Sequence, residues 1–150
     1  MTEFAAVILV DRRGWVLLQE RDEHPRIAPE KWSFSGGHLE PGEDPLAGAI
    51  RELEEETEVR LSPGDLELVT VADVRHPETG SEDKIHLFAA GVDLTDADIV
   101  CHEGRQIVFV DPAKAFDLDL SDSARTALPS FLGSAQHAAL SGSASLRAET

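Results

Sequence analysis

The first third of the chain alternates between apolar runs of strand length and polar connecting segments. Phe4–Val10 and Trp15–Gln19 are mostly apolar, and the polar segment 11–14 between them ends in glycine, which is typical of a hairpin turn. Residues 20–31 are polar and contain two prolines, which predicts a loop. Trp32–Phe34 predicts a short extended piece. This region therefore predicts a strand, a turn and a second strand, followed by a loop.

A helix is predicted after a glycine-containing loop that includes Gly36 and Gly37. Asp44 is a preferred helix N-cap residue, and Pro45 is favoured at the first helical position. The apolar side of this helix is formed by residues spaced at three and four positions. They are Leu46, Ala49, Ile50, Leu53 and Thr57. The helix therefore has one face that can pack in a core.

The second half of the chain predicts more strands than helices. Leu66–Arg75 and Lys84–Val92 are predicted to pair around the polar loop His76–Asp83, and Gln106–Val110 predicts a further strand. Strands mixed with a few helices favour an α+β layered domain.

The last predicted element is the helical segment Ser121–Leu140, with a break at Pro129. We assign residues 1–133 to one domain and residues 134–150 to a C-terminal tail or terminal helix extension. The apolar C-terminal helix is a surface through which a homodimer could form, and the sequence leaves the oligomeric state open.

Composition excludes several classes of partner. The 150 residues suit one domain, and their net charge of −16 disfavours nucleic acid polymers and anionic membranes, which bind through Lys and Arg. A small phosphate substrate stays compatible, because bound metal ions can invert the local field. The single cysteine rules out an intramolecular disulfide, and the first residues lack a basic signal region. The longest apolar run, Ala5–Val10, is too short to span a bilayer, so we expect a cytoplasmic protein.

The densest chemical signal is the run from Arg51 to Glu56 on the predicted helix. Glu52, Glu55 and Glu56 are three and four residues apart, so their carboxylates lie on one side of the helix. Their repulsion costs a few tenths of a kcal/mol per exposed pair, and a cation would offset it. Hard oxygen ligands suit Mg²⁺, Mn²⁺ or Ca²⁺. The alternative is a solvated acidic helix face in an acidic protein.

The context of this run resembles the Nudix hydrolase signature. That signature reads glycine, five residues, Glu, seven residues, Arg-Glu-aliphatic, one residue, Glu-Glu, one residue, glycine and an aliphatic residue. Gly37, Glu43, Arg51–Leu53, Glu55–Glu56 and Val59 match it in order and spacing. The final glycine is replaced by Glu58, and the proline often seen before the two glycines is Ser35. A helix running slightly past Glu58 is expected there.

The resemblance implies a fold and a reaction. The fold would be a mixed β-sheet sandwiched between helices. The reaction would be Mg²⁺- or Mn²⁺-dependent hydrolysis of a nucleoside diphosphate linked to a moiety X, which releases a nucleoside monophosphate and phosphorylated X. The alternative is a Nudix-fold nucleotide-binding regulator with little or no turnover.

The resemblance also implies roles for the matching residues. Glu52, Glu55 and Glu56 would be the main metal ligands, with the Gly37 carbonyl as a further ligand. Arg51 would orient a carboxylate through a charge-assisted hydrogen bond, and Glu43 would brace the loop. Glu52 or Glu56 could also take the proton of the attacking water.

A catalytic acidic residue outside the signature is often present in the family. We predict Glu103, because Gly104 lets its loop approach closely and the strand after it could anchor the turn. Glu82 and Asp83 are the competing candidates, and an exposed glutamate without a role is the alternative.

Three residues outside the signature are candidates for substrate binding. Arg21 and Arg75 could contact a phosphate, and Trp32 could form a wall for a planar group. The alternatives are surface salt bridges for the arginines and core packing for the tryptophan.

Overall fold

The computed structural model describes residues 2–22 and 30–141, which form a mixed sheet with helices on both of its faces. The described strands are β1 (Thr2–Val10), β2 (Val16–Glu20), β3 (Trp32–Ser33), β4 (Ser35–His38), β5 (Glu67–His76), β6 (Ser81–Gly91) and β7 (Gln106–Val110). The helices are α1 (Pro45–Thr57), α2 (Pro112–Ala115) and α3 (Asp122–Leu132). Short 3₁₀ turns lie at Pro63–Asp65 and Asp96–Asp98, and residues 135–141 are also helical.

Strand β1 is the centre of the core because it is covered on both faces. Side chains alternate along a strand, so a strand buried on both sides has a continuous apolar sequence. Ile8 packs in the layer that contains α3, and Leu9 packs in the layer that contains α1. The predicted sheet between helices is therefore confirmed, and none of the described helices is long and apolar enough to cross a membrane.

Strands β1 and β2 diverge after their connecting turn, and this divergence opens a gap in the sheet. Their register is a single pair, Val10 with Val16. Farther along, β1 pairs in parallel with β6 and antiparallel with β4, whereas β2 pairs antiparallel with β3 and β7. Because each strand has other partners, the space between them is not closed by ladder hydrogen bonds.

The predicted loop at Gly36 and Gly37 is instead part of β4. These residues pair with Ala6 and Ala5 of β1. A Cβ atom on Gly36 would lie 2.3 Å from the Ala5 carbonyl oxygen, so glycine is what allows the two backbones to approach. The glycine pair thus builds sheet structure rather than a free loop.

The predicted loop His76–Asp83 is also shorter than expected. Strand β5 continues through His76 and β6 begins at Ser81, so both His76 and Asp83 lie in strands. The continuing alternation of buried and exposed residues through Val74, Arg75 and His76 accounts for the extension.

Two predictions about helix ends were wrong. Helix α1 ends at Thr57, and Glu58 adopts a left-handed conformation with a φ of 62° instead of extending the helix. Pro129 lies inside α3 instead of breaking it, because Leu128 and Phe131 anchor this segment in the core. Residues 23–29 of the predicted loop and residues 142–150 of the predicted tail lie outside the described residues.

Candidate active site

Helix α1 presents its glutamates at the gap in the sheet because its other side is held in the core. The helix begins as predicted, with the Asp44 carboxylate accepting a hydrogen bond from the Ala47 backbone N–H at 3.1 Å and Pro45 in the first turn. Ala49 and Leu53 are fully buried against the sheet. Burial of this side fixes the rotation of the helix about its axis.

Arg51 joins the segment before the helix to the helix itself. Its Nε and Nη2 donate to the two carboxylate oxygens of Glu43 at 2.8 and 2.9 Å. Its Nη1 donates to Glu52 at 3.0 Å and to both oxygens of Glu55 at 3.3 Å. The guanidinium, together with the Glu40 backbone N–H, lowers the pKa of Glu43 to about 2. Glu43 is therefore a permanent anion that holds Arg51 beside the other carboxylates.

The Glu52 carboxylate lies directly against the backbone of β4. A Cβ atom on Gly37 would fall 2.6 Å from Glu52 Oε2, so any other residue there would have to displace this carboxylate from its position. Burial raises the pKa of Glu52 above its usual value, Arg51 opposes that shift, and the charges of Glu55 and Glu103 add to it. Glu52 is thus a carboxylate that costs free energy to ionise in the absence of a cation.

Glu56 is the most buried acid on this helix, with 4% of the residue exposed. The backbone N–H of Gly36 donates to its carboxylate, but its buried Oε2 has no hydrogen-bond partner among the described residues. Burial, followed by the charges of Glu103 and Glu52, raises its pKa to about 9. An unpaired, buried carboxylate oxygen beside other carboxylates favours the binding of a cation, because the cation would offset their repulsion.

A cavity of about 1020 Å³ occupies the gap between β1 and β2. Glu52, Glu56 and Gly37 line it on the side of α1. His76, Asp83 and three serines line the part formed by β5, β6 and the start of α3. The acidic helix therefore faces a space that is large enough for a nucleotide-sized ligand.

Glu103 reaches this cavity from the loop that precedes β7. The residue is exposed, but its charge contributes to the raised pKa values of both Glu52 and Glu56, which places the three carboxylates close together. Gly104 has a φ of 84°, a conformation that favours glycine. The structure thus places Glu103 beside the glutamates of α1.

Comparison with known proteins identifies the family. The NUDIX domain model matches residues 2–131. The chain belongs to the NUDIX domain family. It is 30% identical to the CTP pyrophosphohydrolase of Escherichia coli (strain K12), over 88% of this chain and 92% of that protein.

Two further comparisons extend this result. The m7GpppN-mRNA hydrolase NUDT17 of Bos taurus is 42% identical over 43% of this chain, and the match spans only 21% of that relative's length. The solved structure of a MutT protein from Methanosarcina mazei has a TM-score of 0.71 and 22% identity, covering 87% of this chain and 89% of that chain. The predicted family, Nudix fold and enzyme class, a hydrolase acting on a diphosphate bond, are confirmed.

The Nudix cavity contains most of the residues predicted for its chemistry. Gly37, Glu52, Glu56, Glu103 and Arg21 all line it. The Nε of Arg21 is buried and has no hydrogen-bond partner within the described part of the chain.

Other predicted residues lie at the edge of the Nudix site or away from it. Arg51 and Glu55 are paired beside the cavity rather than in its lining. Trp32 packs against the core on the α3 side, which is the alternative considered for it. Arg75 is exposed and alternates with Val74 and His76, which line the cavity. Neither Trp32 nor Arg75 lines the cavity, so the geometry gives no support to their contact with substrate, which stays a prediction.

Sequence reasoning missed a polar cluster at the far end of the Nudix cavity. His76 is buried, and its Nε2 and Nδ1 lie 2.6 Å from Asp83 and 3.1 Å from Asp122. The alternation through β5 was a usable signal for an inward-facing His76. The contact with Asp122 of α3 had no signal in the sequence, because it joins elements that are distant in the chain.

The donor set fits a hard divalent cation. Among the described residues, no three His, Cys, Asp or Glu side chains form a ready-made metal cage. Mg²⁺ needs no such cage, because it usually keeps several waters and binds one or two carboxylates together with substrate phosphates. The unpartnered Glu56 oxygen and the nearby Glu52 carboxylate supply those groups, and all the donors are oxygens.

Proposed function

We propose that this protein is a Mg²⁺- or Mn²⁺-dependent Nudix pyrophosphohydrolase. Its substrate would be a nucleoside diphosphate linked to a moiety X, and its products a nucleoside monophosphate and phosphorylated X. The observation that carries the proposal is the buried Glu56 carboxylate oxygen, which has no partner in the described part of the chain and lies beside Glu52 in a cavity of about 1020 Å³. A purely structural glutamate would pair its buried oxygen, because an unmade hydrogen bond is costly.

Each side chain has a part in this reaction that follows from its position. Glu52 and Glu56 would hold the cation, with the Gly37 carbonyl and Glu55 as further ligands. Arg51 keeps Glu52 in place through the hydrogen bonds described above. The bound ion would neutralise the charge of the diphosphate and lower the pKa of the attacking water.

A carboxylate that stays free of the cation is better suited to accept a proton than Glu52 or Glu56, because a bound cation lowers the basicity of its ligands. Glu103 lines the cavity from another element, and no shared helix constrains it to the ligand set. It would accept the proton of the attacking water, directly or through one further water. Arg21, which carries a buried unpaired Nε–H, would donate to a phosphate oxygen.

The test is a substrate panel with purified protein. CTP heads the panel because the Escherichia coli relative is a CTP pyrophosphohydrolase. The other members are the remaining nucleoside and deoxynucleoside triphosphates, ADP-ribose, dinucleoside polyphosphates and nucleotide sugars. Chromatography of the products with Mg²⁺, with Mn²⁺ and with EDTA should show a monophosphate that appears only with metal.

Matched variants separate this function from that of a nucleotide-binding regulator. Glu52→Gln should remove most of the turnover while the protein stays folded, and Glu82→Gln, an exposed change on β6, should not. Tight binding of a panel nucleotide by calorimetry, with no turnover under any metal condition, would instead establish the regulator.

A further inference from the structure

The backbone of the Glu103 loop is held by a buried glutamine on a neighbouring strand. Gln19 lies near the end of β2 and is 3% exposed. Its side-chain Nε2 donates to the backbone carbonyl oxygen of Glu103 at 2.6 Å. A carbonyl oxygen only accepts hydrogen bonds, so the amide must present its N–H group to the loop.

Gln19 is an unusual choice for this position in the strand. Leu17 and Leu18, which precede it, are buried and apolar. Burying a polar amide costs free energy unless it is hydrogen-bonded. A residue that only filled the core would be apolar, and among the described residues the side-chain hydrogen bond of Gln19 goes to the loop.

Further contacts leave the loop little freedom. The His102 backbone N–H donates to the Glu56 carbonyl at 3.0 Å, and the Arg105 backbone N–H donates to the Glu20 carbonyl at 2.8 Å. A Cβ atom on Gly104 would lie 2.6 Å from that Glu20 carbonyl oxygen and 3.1 Å from Gln19 Nε2. The loop is therefore hydrogen-bonded to both β2 and α1, and Gln19 binds it at Glu103 itself.

We propose that Gln19 is the positioning residue for Glu103, holding its carboxylate over the reacting water. The inference rests on the proposed function and on Glu103 as the proton acceptor. Gln19 also lines the cavity, but its side-chain N–H is bonded to the Glu103 backbone, so we infer that it acts through the loop rather than on the reacting atoms. A general base contributes about 10²–10⁴-fold to rate, and a misplacement of about 1 Å can cost about 10²-fold, so a loosened loop should lower turnover strongly.

The kinetic test uses Gln19→Met, which keeps the unbranched shape and removes the amide. With the best panel nucleotide and saturating Mg²⁺, we expect kcat to fall about 10- to 100-fold and KM to stay within about twofold. In the Glu103→Gln background the same change should alter kcat by less than about twofold, because the group it positions is already gone.

A second variant and a second measurement keep the test independent of folding and of turnover. Gly104→Ala disturbs the same loop from the other side and should show the same lack of additivity with Glu103→Gln. Hydrogen exchange should show the amides of His102 and Arg105 opening about fivefold or more faster in Gln19→Met, with those of Ile107 and Phe109 in β7 unchanged.

The matched control is Gln106→Ala. Gln106 also donates through its side-chain amide, to Glu20 Oε1 at 2.9 Å, but it is exposed, and in the described structure its side chain does not bond to Glu103. This control should keep the wild-type kcat and the wild-type exchange of the loop.

Five outcomes are possible. The pattern above supports the proposal. Equal losses of kcat from Gln19→Met in the presence and absence of the Glu103 carboxylate would overturn it, as would unchanged loop exchange. An active enzyme that Glu103→Gln does not impair would overturn the positioning role and leave the proposed function intact. A protein without turnover on any substrate would refute the proposed function and, with it, the positioning role. Hydrogen exchange would then show only whether the Gln19–Glu103 hydrogen bond holds the loop.

Discussion

Replacing Glu56 by glutamine should stabilise the metal-free protein, and the gain should grow with pH. The pKa of Glu56 is raised from 4.5 to about 9 in the folded protein, chiefly by burial. Between these two values the unfolded chain ionises Glu56, whereas the folded chain keeps it protonated. The folded state therefore binds more protons, and the free energy of unfolding falls as pH rises through this window.

The size of the effect follows from the same two values. At pH 7 the wild-type protein loses (7 − 4.5) × 1.36, or about 3 kcal/mol, relative to a residue that stays neutral. At pH 5 the loss is about 1 kcal/mol by the same relation. The Glu56→Gln variant avoids this loss, so its melting temperature at pH 7 should be about 6–12 °C higher.

Urea unfolding in EDTA at pH 5, 7 and 8, followed by circular dichroism, measures the difference directly. Glu82→Gln is the control, since an exposed change should move the free energy of unfolding by less than about 0.5 kcal/mol at every pH. A Glu56→Gln variant that is less stable than wild type at pH 7 would refute the reasoning. So would a difference from wild type in the free energy of unfolding that is the same at pH 5 and pH 8.

Mg²⁺ should reverse this pattern if Glu56 is a ligand. The ion binds the ionised carboxylate, so it should stabilise the wild-type protein increasingly as pH rises and stabilise the Glu56→Gln variant much less. Equal stabilisation of both proteins by Mg²⁺ would place the ion elsewhere.

Three further predictions test particular backbone and side-chain positions. Glu58→Gly should raise the free energy of unfolding by about 1 kcal/mol in urea titrations, because glycine tolerates the φ of 62°. The contact with His102 that this change removes is exposed and contributes little, so turnover should change less than about twofold. Gly36→Ala should destabilise the fold by about 1–3 kcal/mol, since its Cβ would meet the β1 backbone. Gly37→Ala should leave the melting temperature nearly unchanged, because the atoms nearest its Cβ belong to the movable Glu52 carboxylate. It should nevertheless lower turnover, because that carboxylate would be displaced. Arg51→Lys should lower kcat about tenfold, because a lysine cannot reproduce the paired bonds to Glu43 while also reaching Glu52; near wild-type turnover would contradict the bridging role.

The features that could be predicted from sequence depend on neighbours in the chain. The Asp44–Pro45 start of α1 and the shared side of Glu52 and Glu56 follow from helical geometry, and the structure has both. The family signature from Gly37 to Val59 is a local spacing of the same kind. Local geometry also explains why the run Ala5–Val10, which the structure buries, could be identified as part of a strand.

The errors arose where packing changes the local preference. Gly36 and Gly37 would suit a loop, but pairing with β1 draws them into a strand. Pro129 would break an isolated helix, but the anchored Leu128 and Phe131 hold α3 together. Glu58 could have continued α1, yet it turns into the left-handed region, where its backbone N–H bonds the Glu54 carbonyl.

The cavity and its contacts were decided only by the tertiary structure. The gap exists because β1 and β2 each take other strand partners after their shared turn. The hydrogen bond from Gln19 to Glu103 joins residues 84 positions apart, and His76 meets Asp122 across 46 positions. Spacing along the chain carries no information about such pairs, because their distance is set by how the sheet and α3 pack, whereas the acidic face of α1 is determined by the pitch of a single helix.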